Sequence, residues 1–310
     1  MKSVNQIMIK ITKKVNNFLS KGLNDPLYSA SFLMGNIVPQ FFRERYVEKS
    51  KKFGLNGKYF ILSFDCDTVK DIEVVEDVHR RLSQYNIIPS YAVPGELLKL
   101  GSSTYRGLLN NGAEFINHGY LSHTSYIEKD KSYISSLFYD KLTSTKVRDD
   151  ILNGHYNFID ILGESPKGFR TPHFGTYKKN KQLKYLYSIL HDLKYSFSSS
   201  TTPVSGMWNG PIIKTPSGIL EIPVSGCYDY PSRILDSWGF RFSPTRKLNE
   251  NDYVQQFKKM IDFFEDPSTS GVFNIYADPS QVYDWEPFFE CMSMTKNLKN
   301  TSFDDLITSI

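Results

Sequence analysis

The chain has 310 residues, 37 Lys and Arg against 33 Asp and Glu for a formal charge of +4, and 15% aromatic residues. That length can bury a large core, as one big α/β domain with an extension or as two domains. So mild a charge, with no basic stripe interleaved with aromatics, argues against nucleic acid as a partner. Cys66, Cys227 and Cys291 form an odd set without CxxC spacing, which argues against a disulfide framework and a structural zinc knot and makes a reducing cytoplasm the simplest setting. A Tyr-rich surface suits sugar or other ring substrates, although packing is the commoner use of such residues.

The N-terminal stretch "MKSVNQIMIKITKKVNNFLSKGL" sets Ile7, Ile11, Val15, Phe18 and Leu19 near helical spacing, with Lys10, Lys13 and Lys14 elsewhere. It has no uninterrupted apolar run of the kind a signal peptide needs. The expectation is a helical extension over residues 1–50 that covers its own domain, with docking on an anionic membrane surface or on another copy of the chain as further roles. "LYSASFLMGNIVPQFF" is too short and too interrupted to span a bilayer. Location is expected in the cytoplasm, with the inner membrane surface as the alternative.

From Lys58 onward, strand-like runs alternate with helical ones, the pattern of parallel strands joined by helices. Strands are expected near 59–64, 89–93, 113–117, 167–170, 194–198, 219–224 and 271–276. Helices are expected near 71–85, 95–110, 145–162, 177–190, 251–266 and 302–309. This α/β domain takes residues 51–310. The Ser/Thr/Pro/Gly-rich segment 199–218 reads as a loop. Residues 225–250 form another long connection, carrying Tyr228, Tyr230, Trp238 and Phe240, and long loops at strand ends are where such folds place substrate contacts.

Three constellations could carry chemistry. "FILSFDCDTVKD" ends a strand on Asp65 and Asp67, which alternation turns to one side with Cys66 on the other, their Cα atoms roughly 6.5 Å apart. The pair is either a metal or acid/base site or a solvated turn whose Asp67 or Thr68 caps the next helix. In "AEFINHGYLSHTSY", His118 and His123, two of only six histidines, follow another strand; two imidazoles and a carboxylate suit zinc or a similar ion and leave one position open. Each could instead be a hydrogen-bonded loop residue. In "PKGFRTPHFGTY", Arg170 ends a strand before a turn fixed by Pro172 and Gly175, and its guanidinium could pair a surface acid or hold a buried carboxylate.

In this order the segments resemble the polysaccharide deacetylases of the NodB-like type. "SFDCDT" is similar to that family's first motif, "NHGYLSH" to its histidine motif, "FRTPHFG" to its Arg motif, and "GILEIPVSGCYDY" to the stretch that follows. The resemblance covers about residues 58 to 285. It implies a distorted (β/α)7 barrel and metal-dependent removal of an N-acyl or O-acyl group from a sugar. Carried over by position, it makes Asp65 the base, Asp67, His118 and His123 the ligands of one divalent ion (zinc, with cobalt, nickel or manganese as alternatives), and Arg170 the residue that orients Asp65. Pro172, Tyr228 and Trp238 are expected to touch the substrate, a free, nucleotide-linked or lipid-linked sugar of surface-glycan or lipopolysaccharide biosynthesis.

Three departures mark the chain. Cys66 separates acids that are adjacent in the family. The histidines stand at i, i+5 rather than i, i+4, which on a regular helix would set them about 140° apart, so the pair needs a loop or a π-bulge; Gly119 makes such a backbone easier. Asp278, before Pro279, stands where the family has the His that protonates the leaving group, and an Asp there needs its pKa raised by burial or like charge. His173 is the alternative donor. A neighbouring reading keeps the site for another C–N bond, a formamide or amidine, and a rival makes the protein an inactive glycan- or partner-binding relative.

Overall fold

The computed structural model describes residues 26–243 and 248–310. The basic amphipathic pattern of residues 1–23 lies outside them. Among the described residues, seven parallel strands curl in the order β10-β1-β2-β3-β6-β7-β9. They are β1 (Lys58–Asp65), β2 (Ser90–Val93), β3 (Glu114–Asn117), β6 (Gly168–Phe169), β7 (Phe197–Ser198), β9 (Leu220–Glu221) and β10 (Gly271–Ala277). β4 (Thr124–Ile127) and β5 (Ser132–Ser135) form a separate hairpin, β8 (Ile213–Lys214) runs antiparallel outside β9, and β11 (Lys299–Asn300) pairs with the lower half of β1.

Each residue of β1 from Phe60 to Asp65 is buried because both sheet faces are covered. Alternation divides them. Phe60, Leu62 and Phe64 face outward into the layer under the helices, with Tyr91, Phe257, Phe273 and Phe288. Ile61 faces the interior with Ile116, Phe197, Ile222 and Val272, and Phe303 and Leu306 of the C-terminal helix Phe303–Thr308 plug this apolar lower layer. Above it the inward residues turn polar: Ser63, Asp65, Arg170, Ser199 and Asn274. A dry floor and a polar upper storey are thus written into one alternating strand.

The barrel does not close by a strand ladder. Pro223 ends β9, since it has no N–H to donate, and the seam to β10 is held by one residue. The Asn274 amide donates to the carbonyls of Ile222 (3.2 Å) and Pro223 (3.1 Å), while Ser225 N–H donates to Asn274 O at 2.7 Å. The helix Pro39–Phe53 lies over this seam, with Phe42 buried and Tyr46 Oη both donating to Val272 O (2.7 Å) and accepting from Val272 N (3.0 Å). It ends on Gly54 in the left-handed region at φ 99°. The expected boundary at residue 50 therefore falls inside a helix that leads directly into β1.

The principal strands and helices lie where the hydrophobic pattern puts them, apart from a break at Gly101 that splits the expected helix 95–110 into Gly95–Leu100 and Ser102–Asn110. The expected loop 199–218 contains the helix Pro203–Asn209 and β8, and the connection 225–250 contains the short helix Ser237–Arg241. The β4–β5 hairpin and the helix Glu286–Ser293 also lack a counterpart in the sequence reading, while the helix Pro26–Ile37 falls within the helical extension expected over residues 1–50. These segments are short or carry no clear period, so tertiary packing decides them. Among the described residues no helix is long and apolar enough to cross a membrane.

Candidate metal and catalytic site

The polar storey opens at the C-terminal ends of the strands. Asp65 is the last residue of β1, and Thr68 caps the helix Val69–Ser83, with Asp71 accepting from Thr68 N (2.8 Å) and Thr68 Oγ1 (2.7 Å). Because Thr68 takes the cap, Asp67 is free to turn inward. Cys66, between the acids, points into the outer apolar layer, where burial pushes its thiol well above the usual range. Alternation past the end of the strand thus keeps both acids on the inner side.

His118 and His123 sit on a loop, not a helix, and Gly119 adopts φ 82°. The loop is pinned from several directions. Asn117 Oδ1 accepts from Gly119 N (2.9 Å), Asp150 Oδ1 from Leu121 N (2.9 Å), and Glu96 Oε2 from Ser122 N (2.7 Å). Tyr139 in turn donates to Asp150 Oδ2 at 2.6 Å. The i, i+5 spacing is accommodated by this turn, and both rings converge on Asp67.

His123 Nε2 lies 3.0 Å and His118 Nε2 3.4 Å from Asp67 Oδ1, yet none of the three atoms has a hydrogen-bonding partner. Among the described residues this is the single group of three His, Cys, Asp or Glu donors that converge, within 4.8 Å of one another. Buried polar atoms are normally paired. Three that meet head-on without hydrogen-bond geometry describe a place for a cation, and one carboxylate plus two imidazoles is a zinc-type donor set with a position left over. Two neighbouring bonds hold these side chains: Arg170 O lies 2.8 Å from His118 Nδ1, which fixes Nε2 as the ring nitrogen facing Asp67, and Thr124 Oγ1 donates to Asp67 Oδ2 at 3.3 Å.

Beside the triad, Arg170 Nη1 donates to Asp65 Oδ1 at 2.6 Å. The guanidinium is fully buried and further fixed by Ser63 Oγ (2.8 Å), Ser199 O (3.2 Å) and Ser199 Oγ (3.3 Å). This arrangement leaves Asp65 Oδ2 turned toward the triad, 3.9 Å from His118 Nε2. Burial works to raise the pKa of Asp67, but the charges of the close imidazoles, His123 first and then His118, hold it well below the usual carboxylate range.

Asp278 follows β10. The register pairs Phe64 with Ala277, so Asp65 and Asp278 leave adjacent strands side by side. Its Oδ2 accepts from Gln281 Nε2, and its backbone N–H donates to Ser237 Oγ (3.2 Å). Burial, then the charges of Asp67, Asp71 and Asp65, push its pKa well above the ordinary value. His173 has φ 56°, unusual for a side-chain-bearing residue. Its ring meets His123 edge-on at 5.1 Å and packs on Phe138 at 4.6 Å, and its Nε2 is buried without a partner. Burial and the neighbouring His123 lower its pKa to about 4.

The three residues expected to touch substrate separate. Pro172 is buried in the turn after Arg170, and Trp238 is 40% exposed on the short helix whose Ser237 bonds Asp278. Tyr228 is held instead by Arg43, 3.9 Å over its ring, and by Phe263. A bridge between Gly226 and Ile234 turns this part of the connection back against the N-terminal helices, which the sequence pattern does not disclose. The sequence reading also passes over Ser63, Ser199, Asn117 and Asp150, the residues that hold Arg170 and the histidine loop. For Ser63 and Asn117 the signal is a polar residue on the inward side of an otherwise apolar strand.

No family model and no curated protein matches the sequence. Solved structures share the fold. A Mycobacterium smegmatis protein assigned as a polysaccharide deacetylase superposes with TM-score 0.58 at 15% identity, over 82% of this chain and 91% of that one. An allantoinase gives 0.61 at 10% identity over 81% and 89%. A pseudoenzyme of carbohydrate esterase family 4 from Bacillus anthracis gives 0.50 at 12% over 81% and 66%. The chain thus has the NodB-like deacetylase fold, a curled α/β half-barrel, and is remote in sequence from these structures.

Proposed function

We propose that the protein is a divalent-metal-dependent hydrolase that removes an acyl group, N-acetyl or a close analogue, from a sugar or glycan precursor. One observation carries this reading: three buried, unpartnered donor atoms converge beside a carboxylate that a buried arginine holds in place. Asp67, His118 and His123 would hold the ion, which when bound supplies Lewis acidity and makes water a competent nucleophile at neutral pH. Zinc suits the donor set best, with cobalt, nickel or manganese as substitutes.

Asp65 is the base. Arg170 occupies its Oδ1 and fixes the carboxylate in place, so Oδ2 receives the proton of the attacking water. Asp278 is the acid: it leaves the strand beside Asp65, Gln281 takes one of its oxygens, and the other can carry the proton that the departing amine or alkoxide needs. Trp238, 40% exposed and next in sequence to the Ser237 that bonds Asp278, is the aromatic we assign to stacking on a sugar ring. A biosynthetic role on a cytoplasmic precursor of surface polysaccharide is the setting we assign.

The same residues would serve another C–N bond, and the resemblance in fold to an allantoinase keeps a formamide or amidine substrate as the second reading. Because one structural neighbour is a pseudoenzyme, activity has to be tested directly. Purified protein should take up one zinc per chain and release acetate from some member of a panel of N-acetylated nucleotide sugars, followed by mass spectrometry. His118→Ala and Asp67→Asn should each lose most of the metal. Full occupancy in both variants would remove the triad from the proposal, while metal uptake without turnover on acetyl, formyl or amidine substrates would favour the binding role.

A further inference from the structure

The helix Pro26–Ile37, "PLYSASFLMGNI", contains no charged residue, and its solvent side is apolar. Leu27 is 81% and Ile37 75% exposed, and Leu33, Met34, Val38 and Phe41 are each exposed by two-fifths or more. Leu27, Met34 and Ile37 recur at helical spacing and form one stripe on this helix, and past the break at Val38 the next helix adds Phe41 to the exposed apolar surface. A continuous exposed apolar stripe of this kind ordinarily meets another surface.

Charge indicates which surface. Residues 1–25 contain Lys2, Lys10, Lys13, Lys14 and Lys21 against Asp25, a surplus equal to the chain's whole formal charge of +4, so the remainder is balanced. The basic segment runs directly into the apolar stripe. A second basic group flanks it within the fold: Lys178 stacks on the Tyr28 ring at 3.3 Å, and Lys179, Lys181 and Lys184 are exposed on the same segment, where no acid occurs between Arg170 and Asp192. Apolar anchors next to the lysines of 178–184, in a chain whose further lysine surplus lies in the sequence just before this helix, are complementary to a lipid surface with anionic headgroups, and less so to a second copy, which would bring lysines against lysines.

We propose that this face docks on an anionic bilayer. Its place relative to the site gives the docking a use. Tyr28 Oη is 3.1 Å from Thr202 Oγ1, on the loop that follows β7, and a Cβ built on Gly175 of the Arg170 turn would stand 3.8 Å from the same Tyr28 oxygen. The helix that carries the stripe therefore touches the loops after β7 and after Arg170, and docking would hold that rim at headgroup level, where a sugar on a lipid carrier is presented. This last step rests on the proposed deacylation. The docking itself does not.

The test is co-sedimentation of the 310-residue chain with vesicles of phosphatidylcholine alone or with about a third phosphatidylglycerol, at low salt and at 0.5 M NaCl. Binding is expected to the anionic vesicles only and to be lost at high salt. Lys10→Gln/Lys13→Gln/Lys14→Gln should weaken it on the order of a hundredfold, and Leu27→Ser/Ile37→Ser/Phe41→Ser at least tenfold, with zinc uptake and melting temperature unchanged in both. Equal binding to neutral vesicles, or none to either, would overturn the proposal. So would a fall in melting temperature of the serine variant without lipid, which would mean that the chain covers its own stripe, or a shift of the wild type from dimer to monomer on the same substitutions, which would make the occupant a second copy.

Discussion

The two ends of the barrel both bury carboxylates, and they treat them in opposite ways. At the closed end, Glu114 accepts from Ser90 Oγ (2.5 Å), Phe303 N (3.1 Å) and Asp304 N (2.8 Å), tying β2 to the helix that plugs the floor. At the open end, Asp67 Oδ1 and the Nε2 atoms of His118 and His123 face one another without partners. A buried acid with both oxygens occupied by its own chain holds the fold together. Buried donors left unpaired are kept for something the chain does not contain. Glu221 belongs with Glu114 by this criterion, since it accepts from Ser200 N, Thr201 N and Thr201 Oγ1, each within 2.9 Å. Burial alone separates none of them.

The comparison is broken most severely at Asp65, whose one oxygen is satisfied by Arg170 and whose other faces the triad. Asp65→Asn should lower turnover by about 10²–10⁴-fold, the usual contribution of a general base, while zinc stoichiometry stays at one per chain. An unchanged rate would move Asp65 to the structural class with Glu114. Loss of the ion along with the rate would make it a ligand.

The closed end gives a prediction about stability. Burial is the main cause that raises Glu114 from its ordinary 4.5 to about 7. Between those values the unfolded chain ionises before the folded one, so the folded state binds more protons and stability falls as pH rises from about 4.5 to about 7. With its partial exposure allowed for, the swing is on the order of 2 kcal/mol. Melting curves from pH 4.5 to 8 should show a shallower decline for Glu114→Gln than for the wild type, because the amide stays neutral across that range. Parallel curves would show that this carboxyl does not carry the slope.

Much of this contrast was legible in the sequence, and the exceptions have physical causes. The strand alternation of "FILSFDCD" places Asp65 and Asp67 inward with Cys66 in the apolar layer, because a period of two needs no partner to be read. The loop at His118–His123 follows from a spacing that no regular helix accommodates. Trp238 and Tyr228 lie in one long connection of similar composition, yet the first follows the Ser237 that bonds Asp278 and the second packs on Arg43. Nothing local distinguishes them, since the Gly226–Ile234 bridge that parts them is a tertiary event. The closure of the barrel through Asn274 is invisible for the same reason: its partners are carbonyls some fifty residues away in sequence.

A smaller effect is expected where the open end depends on backbone shape. A Cβ on Gly119 would stand 2.3 Å from Asp150 Oδ2 and 2.7 Å from Tyr139 Oη, and the residue holds φ 82°. Gly119→Ala should therefore cost about 1–3 kcal/mol through strain and a displaced Asp150. The same shift should weaken zinc affinity, because Asp150 holds the loop between the two histidines. Gly163→Ala is the control. It also sits at positive φ (81°) but has nothing within 4 Å, so it should lose a little stability and no zinc affinity. If both variants bind zinc like the wild type, the histidine loop is held by other contacts.

The narrowest effect concerns which group returns the proton, and it asks on which side of the comparison Asp278 falls. One of its oxygens is occupied by Gln281, as in a structural acid, and the residue leaves β10 beside Asp65, as a catalytic one would. Burial among Asp67, Asp71 and Asp65 favours the protonated carboxyl that donation requires, whereas a cation on the triad draws it back toward the carboxylate. A substrate with a poor leaving group needs the proton, and one with a good leaving group does not. Asp278→Asn should thus slow the first about tenfold or more and leave the second nearly unchanged, with zinc still bound. His173→Ala, which removes an unpaired nitrogen in a ring packed on His123, should slow both substrates alike through a displaced His123. If Asp278→Asn slows both substrates equally, or neither, the carboxyl belongs with Glu114 and Glu221 as part of the frame. If the selective loss appears in His173→Ala instead, the proton comes from the turn after Arg170, and the left-handed backbone at His173 is what aims it.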